Sequence, residues 1–340
     1  MPDTTTSTRF DDVPAFDDIL RAAERLRGWA TVTPLLESAA LNEFAGARVL
    51  LKAEPLQRTG SFKFRGAFNR IAQIPEALRR NGVVAFSSGN HAQGVAAAAA
   101  ILGLPAVIVM PRDAPRIKIE NTRGYGAEVV LYDRLTESRE EIGDRLCAER
   151  GATLVRPYDD GGIIAGQGTC GLEIARQAEA LGARPDTLLV CCGGGGLTAG
   201  CGIAFERMLP DANVMTVEPV NYDDTKRSLE AGKILPNQGA QGSICDALLA
   251  PQPGRLTFAA NKTRVGGGLA VTDREVKAAM AYAFRVLKLV LEPGGAVCLA
   301  AVLAGKIDCA GRTVALTLSG GNVDPDLFRS VLKEQSDCGS

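Results

Sequence analysis

Thr187-Leu188-Leu189-Val190-Cys191-Cys192-Gly193-Gly194-Gly195-Gly196-Leu197 decides the fold class of this chain. Its first six residues are almost wholly apolar, the pattern of a strand buried on both faces. Glycines break the strand at 193–196, and the small-residue stretch 197–208 then has helical periodicity. Strand, glycine turn and helix make up the unit from which parallel sheets are assembled. The unit recurs in both directions along the chain. Strands are predicted at 47–53, 83–86, 106–110, 128–132, 153–156, 187–192, 214–218 and 313–318. Helices are predicted at 91–102, 115–125, 137–150, 165–181, 197–208, 274–289 and 296–304. The result is an α/β protein with parallel sheets flanked by helices. A second glycine cluster, Gly266 to Gly268, is expected to form a tight turn. No repeat, low-complexity tract or Pro/Gly/Ser linker divides the 340 residues, a length that accommodates two lobes.

Composition excludes several function classes. The net charge is −1 and no long basic run occurs, so a nucleic-acid surface has no electrostatic basis. No apolar run approaches the roughly 18 residues of a membrane span. The segment from Met1 to Phe10 is polar and lacks the apolar centre of a signal peptide, so it is expected to be a short disordered lead on a cytoplasmic protein. Nine cysteines with no C-x-x-C pair fit reduced, mostly buried thiols. The single histidine, His91, excludes zinc sites built on several histidines and leaves a Ser-His-Asp mechanism resting on one residue without support.

Chemistry-bearing residues concentrate in the loops that follow strands. Glycines at 193–196 allow backbone N–H groups to converge on an anion at a helix N-terminus, which makes a phosphate cradle. The loop is neither a Walker sequence, because no Lys-Ser/Thr follows, nor a G-x-G-x-x-G turn with an acidic ribose partner. After the strand at 47–53 comes Thr59-Gly60-Ser61-Phe62-Lys63-Phe64-Arg65-Gly66-Ala67. Ser61 is a suitable N-cap, which places Lys63 in the first helical turn. There the helix dipole and the two phenylalanines disfavour an ammonium. A lysine with a lowered pKa suits Schiff-base chemistry, because only the neutral amine attacks a carbonyl. Phe86-Ser87-Ser88-Gly89-Asn90-His91 also joins a strand to a helix and offers donors for a carboxylate or a ring oxygen, or simply a helix cap. Ser319-Gly320-Gly321-Asn322 follows the strand at 313–318. Loops beyond the carboxyl ends of parallel strands converge on one cleft. Glu218 at a strand end, with Asp223 and Asp224 nearby, has the ligand types of a hard divalent cation, or of an acidic helix start.

Taken together, these segments resemble the fold-type II pyridoxal phosphate enzymes, specifically the serine/threonine dehydratase and serine racemase family. The resemblance is carried by Ser61 to Ala67, Ser87-Ser88-Gly89-Asn90-His91, Ala165-Gly166-Gln167-Gly168-Thr169, Gly193 to Gly196, Glu292-Pro293-Gly294-Gly295-Ala296 and Ser319-Gly320-Gly321-Asn322-Val323-Asp324, in the family's order. It implies a two-lobed fold like that of the tryptophan synthase β chain, with a large cofactor-binding domain of residues 1–81 and 160–340 and a small mobile domain of residues 82–159. It implies that Lys63 holds pyridoxal 5'-phosphate as a Schiff base, that Phe62 lies against the ring, and that Asn90 bonds the ring hydroxyl. Gly193, Gly194, Gly195, Gly196 and Leu197 would bind the phosphate, and Ser319 would face the pyridine nitrogen. Ser88, Asn90 and His91 would cradle the substrate carboxylate.

The implied reaction is β-elimination of L-threonine or L-serine to a 2-oxo acid and ammonia, with Lys63 as the base at Cα. Ser88 matches the serine that racemases of the family place on the ring face opposite the lysine. Arg139 matches an arginine that racemase and hydroxyaspartate dehydratase relatives place near the substrate. The alternative activities are therefore serine or aspartate racemisation and 3-hydroxyaspartate dehydration. The resemblance also implies a magnesium or manganese site at Glu218, Asp224 and the Tyr222 carbonyl, and a homodimer acting on a small amino acid. Cys245-Asp246-Ala247 departs from the relatives' Ala-Asp-Gly, which puts an extra methyl group near the ring.

Overall fold

The computed structural model describes residues 10–87, 89–114, 116–133, 135–238 and 242–337. The expected lead at residues 1–9 and the candidate residue Ser88 lie outside them. The strands are β1 (Leu35–Leu36), β2 (Arg48–Ala53), β3 (Val83–Phe86), β4 (Ala106–Pro111), β5 (Glu128–Tyr132), β6 (Thr153–Leu154), β7 (Thr187–Cys191), β8 (Asn213–Pro219), β9 (Val265–Val271) and β10 (Thr313–Leu318). The helices are α1 (Phe16–Leu26), α2 (Ala39–Ala45), α3 (Lys63–Ile71), α4 (Glu76–Arg79), α5 (Asn90–Leu102), α6 (Arg116–Gly124), α7 (Arg139–Arg150), α8 (Gly161–Ala180), α9 (Gly196–Met208), α10 (Asp224–Ala231), α11 (Arg255–Arg264), α12 (Asp273–Tyr282), α13 (Pro293–Leu303) and α14 (Pro325–Asp337).

Two sheets organise the chain. The larger runs β1-β2-β10-β7-β8-β9, parallel except for the short antiparallel β1 edge. The smaller, all parallel, runs β5-β4-β3-β6 and uses only residues 83–154. Strands β2, β10 and β7 are immediate neighbours, paired Leu51 to Leu316 and Leu316 to Leu189. Three candidate loops, those of Lys63, Ser319 and Gly193, therefore leave the sheet side by side at its carboxyl edge. The larger sheet is buried in a core that includes Leu50, Leu189, Val190, Val297 and Leu316. A second core joins α3 and α5 to the smaller sheet through Phe64, Phe68, Val95 and Ile108. Lys63 heads α3 and Asn90 heads α5, so the packing of these two helices brings the two groups of loops together.

The start of α3 is anchored by buried charge. Arg65 donates to both oxygens of Glu54 at 2.8 Å and to Glu173 at 2.6 Å. Lys52 donates to Glu173 at 2.7 Å. Arg65, Glu54 and Lys52 are fully buried, and each cation has a carboxylate partner, as burial requires.

Three expectations need correction. Gly266 to Gly268 are not a turn but the middle of β9. A side chain at 268 would meet Lys226 and Thr216 at 2.6 Å, so glycine there lets the edge strand lie close to its neighbours. The helix expected at 274–289 stops at Tyr282 and passes into a single π turn, Ala283–Leu287, closed by Lys288 with φ 59°. Ser61 is not a helix cap. It is extended, it pairs with Gly320 across a β-bridge, and its hydroxyl is buried without a partner among the described residues. The backbone of this loop is committed to the Ser319 loop instead, with Phe62 N donating to Ser319 O at 3.2 Å.

Candidate active site

A cavity of about 930 Å³ opens between the loops of the two sheets. Phe62, Lys63, Asn90, His91, Arg139, Gly193 to Gly196, Leu197 and Ser319 all line it, so the cofactor and substrate candidates outside Ser88 converge on one space. Thr59 with φ 66° and Gly60 with φ 72° turn the chain sharply just before Lys63. Left-handed backbone at a non-glycine residue is costly and persists where packing over-determines it. Here Asn322 supplies that packing by donating Nδ2 to Thr59 O at 2.8 Å.

Lys63 points its Nζ at Pro157 O, 2.9 Å away, with the Phe62 ring centroid at 5.1 Å. Burial pushes its pKa down to about 8, against the opposing pull of Cys191 and Glu292. The expected lowering is present, and its main cause is desolvation. An appreciable share of the amine is then neutral at ordinary pH.

The glycine loop is shaped by what surrounds it. Gly195 adopts φ 88°, which favours glycine. A side chain at 194 would collide with the ring of Tyr158, which stacks on that backbone. Gly196 opens α9, so the free N–H groups of its first turn face the cavity's end. Ser319 places its hydroxyl 3.5 Å from Gly294 O and beside the Cys191 thiol.

His91 is buried, and its Nε2 lies 2.9 Å from Val155 O. A carbonyl only accepts, so Nε2 carries the proton and Nδ1 is left as an acceptor. Burial drives its pKa down to about 3, with Lys63 contributing. The ring is thus neutral and brings no imidazolium charge to the cavity. Asn90 donates Nδ2 to Glu292 Oε1 and accepts from Asn322 Nδ2 at 2.8 Å. Arg139 lies over the Phe86 ring at 5.3 Å and pairs with Glu140 at 2.7 Å.

Glu218, Tyr222 and Asp224 stand apart, at the end of β8. Glu218 is buried and accepts from the N–H groups of Thr225 at 3.0 Å and Lys226 at 2.8 Å. Burial and the neighbouring Asp224 raise its pKa to about 8. Burial likewise raises Asp224 to about 7, and both of its oxygens lack a partner among the described residues. No cluster of three or more His, Cys, Asp or Glu side chains arranged for a metal occurs among the described residues.

Sequence reasoning missed Tyr158 and Pro157, and it placed Glu292 in a motif without giving it a role. Nothing local marks the first two, because their role arises from a loop of one sheet crossing the glycine turn of the other. Glu292 did carry a signal, an acidic residue directly before Pro293-Gly294-Gly295 at the head of apolar α13. It is buried, and burial raises its pKa to about 7, with Asp246 adding to the rise.

With this geometry in place, three likenesses to known proteins become interpretable. The chain is 44% identical over 319 residues to the L-threo-3-hydroxyaspartate ammonia-lyase of Pseudomonas sp, covering 94% of this chain and 98% of that protein. It is 38% identical to the serine racemase of Schizosaccharomyces pombe, covering 95% and 98%. The crystal structure of a T.th. threonine deaminase superposes with a TM-score of 0.86 at 44% identity, covering 92% of this chain and 99% of that one. Residues 26–320 match the family profile described as pyridoxal-phosphate dependent enzyme, and so the chain belongs to the fold-type II pyridoxal-phosphate dependent enzymes.

Proposed function

We propose that this protein is an ammonia-lyase that eliminates the β-hydroxyl of a 3-hydroxy amino acid, with L-threo-3-hydroxyaspartate as its preferred substrate. The carrying observation is Arg139, a guanidinium on the wall of the cavity that also holds Lys63. Arg156 lines the same space. A substrate with a second carboxylate suits these two cations. The relative from Pseudomonas sp bears the name of that activity.

The residues present fit pyridoxal phosphate. The Lys63 amine is largely desolvated, the glycine loop has no side chains to fill its cradle, and Glu292 leaves one buried oxygen without a partner among the described residues. Lys63 would attach it, the N–H groups of 193–197 would hold its phosphate, Asn90 and Ser319 would meet the ring edge, and Phe62 its face. When bound, it supplies the electron sink that makes the Cα proton of an amino acid acidic. Lys63, neutral at a useful fraction, takes that proton from one face. Ser319 offers a hydroxyl rather than a carboxylate and so does not hold a full positive charge on a ring nitrogen. The backbone N–H groups at the head of α5 take the substrate carboxylate.

Threonine or serine as the principal substrate is the second reading. Arg139 already has a carboxylate partner in Glu140 at 2.7 Å, and a retained pair leaves the site neutral there. The threonine deaminase likeness favours it too. Turnover of L-threo-3-hydroxyaspartate, L-threonine and L-serine, scored for 2-oxo acid and D-isomer, separates these readings from racemisation. Arg139→Gln is expected to lower kcat/KM for hydroxyaspartate by about 10-fold or more while sparing threonine. Equal losses on both substrates would refute the assignment.

Glu218, Asp224 and the Tyr222 carbonyl are proposed to hold magnesium or manganese. The Asp224 oxygens, without a partner among the described residues and beside a second buried carboxyl, support this. A cation-dependent rise in unfolding temperature, reversed by chelator, is the expected result. Residues 82–159 are proposed to move as one lobe. A homodimer is the proposed assembly, because Trp29, Val32, Phe44 and Leu56 are exposed apolar residues, and sedimentation tests it.

A further inference from the structure

The hydrogen-bond chain from Asn322 through Asn90 to Glu292 has a direction that its chemistry dictates. Thr59 O is a backbone carbonyl, so the Asn322 atom 2.8 Å from it is the amide nitrogen. The same nitrogen lies 2.8 Å from Asn90, which must therefore present its oxygen. Asn90 is left with its own nitrogen toward Glu292 Oε1. Oε1 is thus an acceptor whatever the charge of the carboxyl, and any proton Glu292 carries sits on Oε2.

That second oxygen is buried and has no partner among the described residues, although Glu292 lines the cavity with Lys63, Asn90 and Ser319. The carboxyl is confined from behind. A side chain at 320 would collide with Oε1 and would meet Ser61 Cβ at 3.1 Å. Three charged groups face it from the surrounding elements: Lys118 of α6, Asp246 of the turn after Cys245, and Lys63 of α3. Lys118 is paired with Asp246 at 2.5 Å and Lys63 with Pro157 O at 2.9 Å. A carboxylate here would be a buried charge with one donor, which is costly. A neutral acid is not, and burial raises the group's pKa to about 7.

We propose that Glu292 is a positioning residue that works as a neutral acid: Oε1 fixes the Asn90 amide, and the Oε2 hydroxyl donates a hydrogen bond to an anionic oxygen of the group bound in the cavity. The inference rests on the reading that this cavity takes pyridoxal phosphate. It goes beyond that reading by giving Asn90 a fixed orientation and the site a second donor whose presence depends on pH. Below about pH 7 the donor is in place, and as pH rises through that value it is replaced by a negative charge facing the bound oxygen.

Glu292→Gln tests this directly. Glutamine keeps an oxygen for Asn90 and puts a permanent N–H donor at the Oε2 position. Holoenzyme of the wild type, Glu292→Gln and Glu292→Ala is compared by cofactor dissociation constant, by absorbance of the bound cofactor from pH 5.5 to 8.5 (a range chosen around about 7), and by kcat and KM. The expected result is a wild-type spectrum that changes through about pH 7 and a Glu292→Gln spectrum that does not. Glu292→Gln is expected to hold cofactor within about 3-fold of the wild type, and Glu292→Ala to lose about 10-fold, the cost of leaving buried partners unsatisfied. Borohydride labelling of Lys63 in the wild type is the control. With Lys63 labelled, a Glu292→Gln enzyme as impaired as Glu292→Ala overturns the inference alone, and so does a wild-type spectrum that is flat across this range. An unlabelled Lys63 overturns the cofactor reading and the inference with it.

Discussion

Lys63 sets the pH behaviour of the site at the scale of a single residue. Its amine is neutral above about 8 and charged below, because the cavity wall removes water from it. The rate at which cofactor-free protein captures pyridoxal phosphate should therefore climb with pH and level off above about 8, as followed by stopped-flow absorbance. A rate still climbing at about pH 10, near the ordinary lysine value, would show that the amine is solvated. This residue was legible in the sequence from its place after a strand and between two phenylalanines. The orientation of His91 was not, because its partner, Val155 O, is a backbone carbonyl 64 residues away that no side-chain pattern announces.

Elements carry the site through two devices, a glycine loop that a ring must reach and an ion network beneath α3. Gly194→Ala would thrust a methyl group into the Tyr158 ring. Overpacking of this kind costs about 1–3 kcal/mol. The expected outcome is cofactor binding weaker by about 10-fold with the fold intact, read by fluorescence titration and circular dichroism. Arg65→Met leaves the fully buried Glu54 without its guanidinium. Removing one partner of a buried pair costs about 3–5 kcal/mol. Chemical denaturation should show a loss of that size, and a loss under about 1 kcal/mol would mean that Glu54 takes up a proton or another partner cheaply. The glycine run and the arginine were both visible in the sequence. Tyr158 against Gly194 appears only when the loop after β6 meets the glycine turn, and Glu173 serving both Arg65 and Lys52 only when α8 packs across α3.

At the scale of the whole molecule, Lys118 and Asp246 form one of the ties between the two sheets. Lys118 in α6 is buried and donates to Asp246, which lies beyond the glycine loop of the larger sheet, at 2.5 Å. Asp246→Asn should loosen that tie, raising KM for the amino acid about 5-fold or more with little change in unfolding temperature, because one partner of this pair is part-exposed. Hydrogen exchange over residues 116–124 should quicken, and unchanged exchange would mean that the pair does not hold the two parts together. By itself, the sequence determined the alternation of apolar runs with helical stretches, hence parallel sheets, and it marked the strand-end loops where the chemistry sits. Those are local patterns of periodicity and turn chemistry, which a chain displays without being folded. Only the tertiary structure decided that Gly266 to Gly268 form an edge strand, that Ser61 pairs with Gly320, and that Glu292 bonds Asn90 through one oxygen while the other is left without a partner among the described residues. Each of these depends on what a distant segment brings to within a few ångströms, and burial and partner supply are properties of that neighbourhood rather than of the residue.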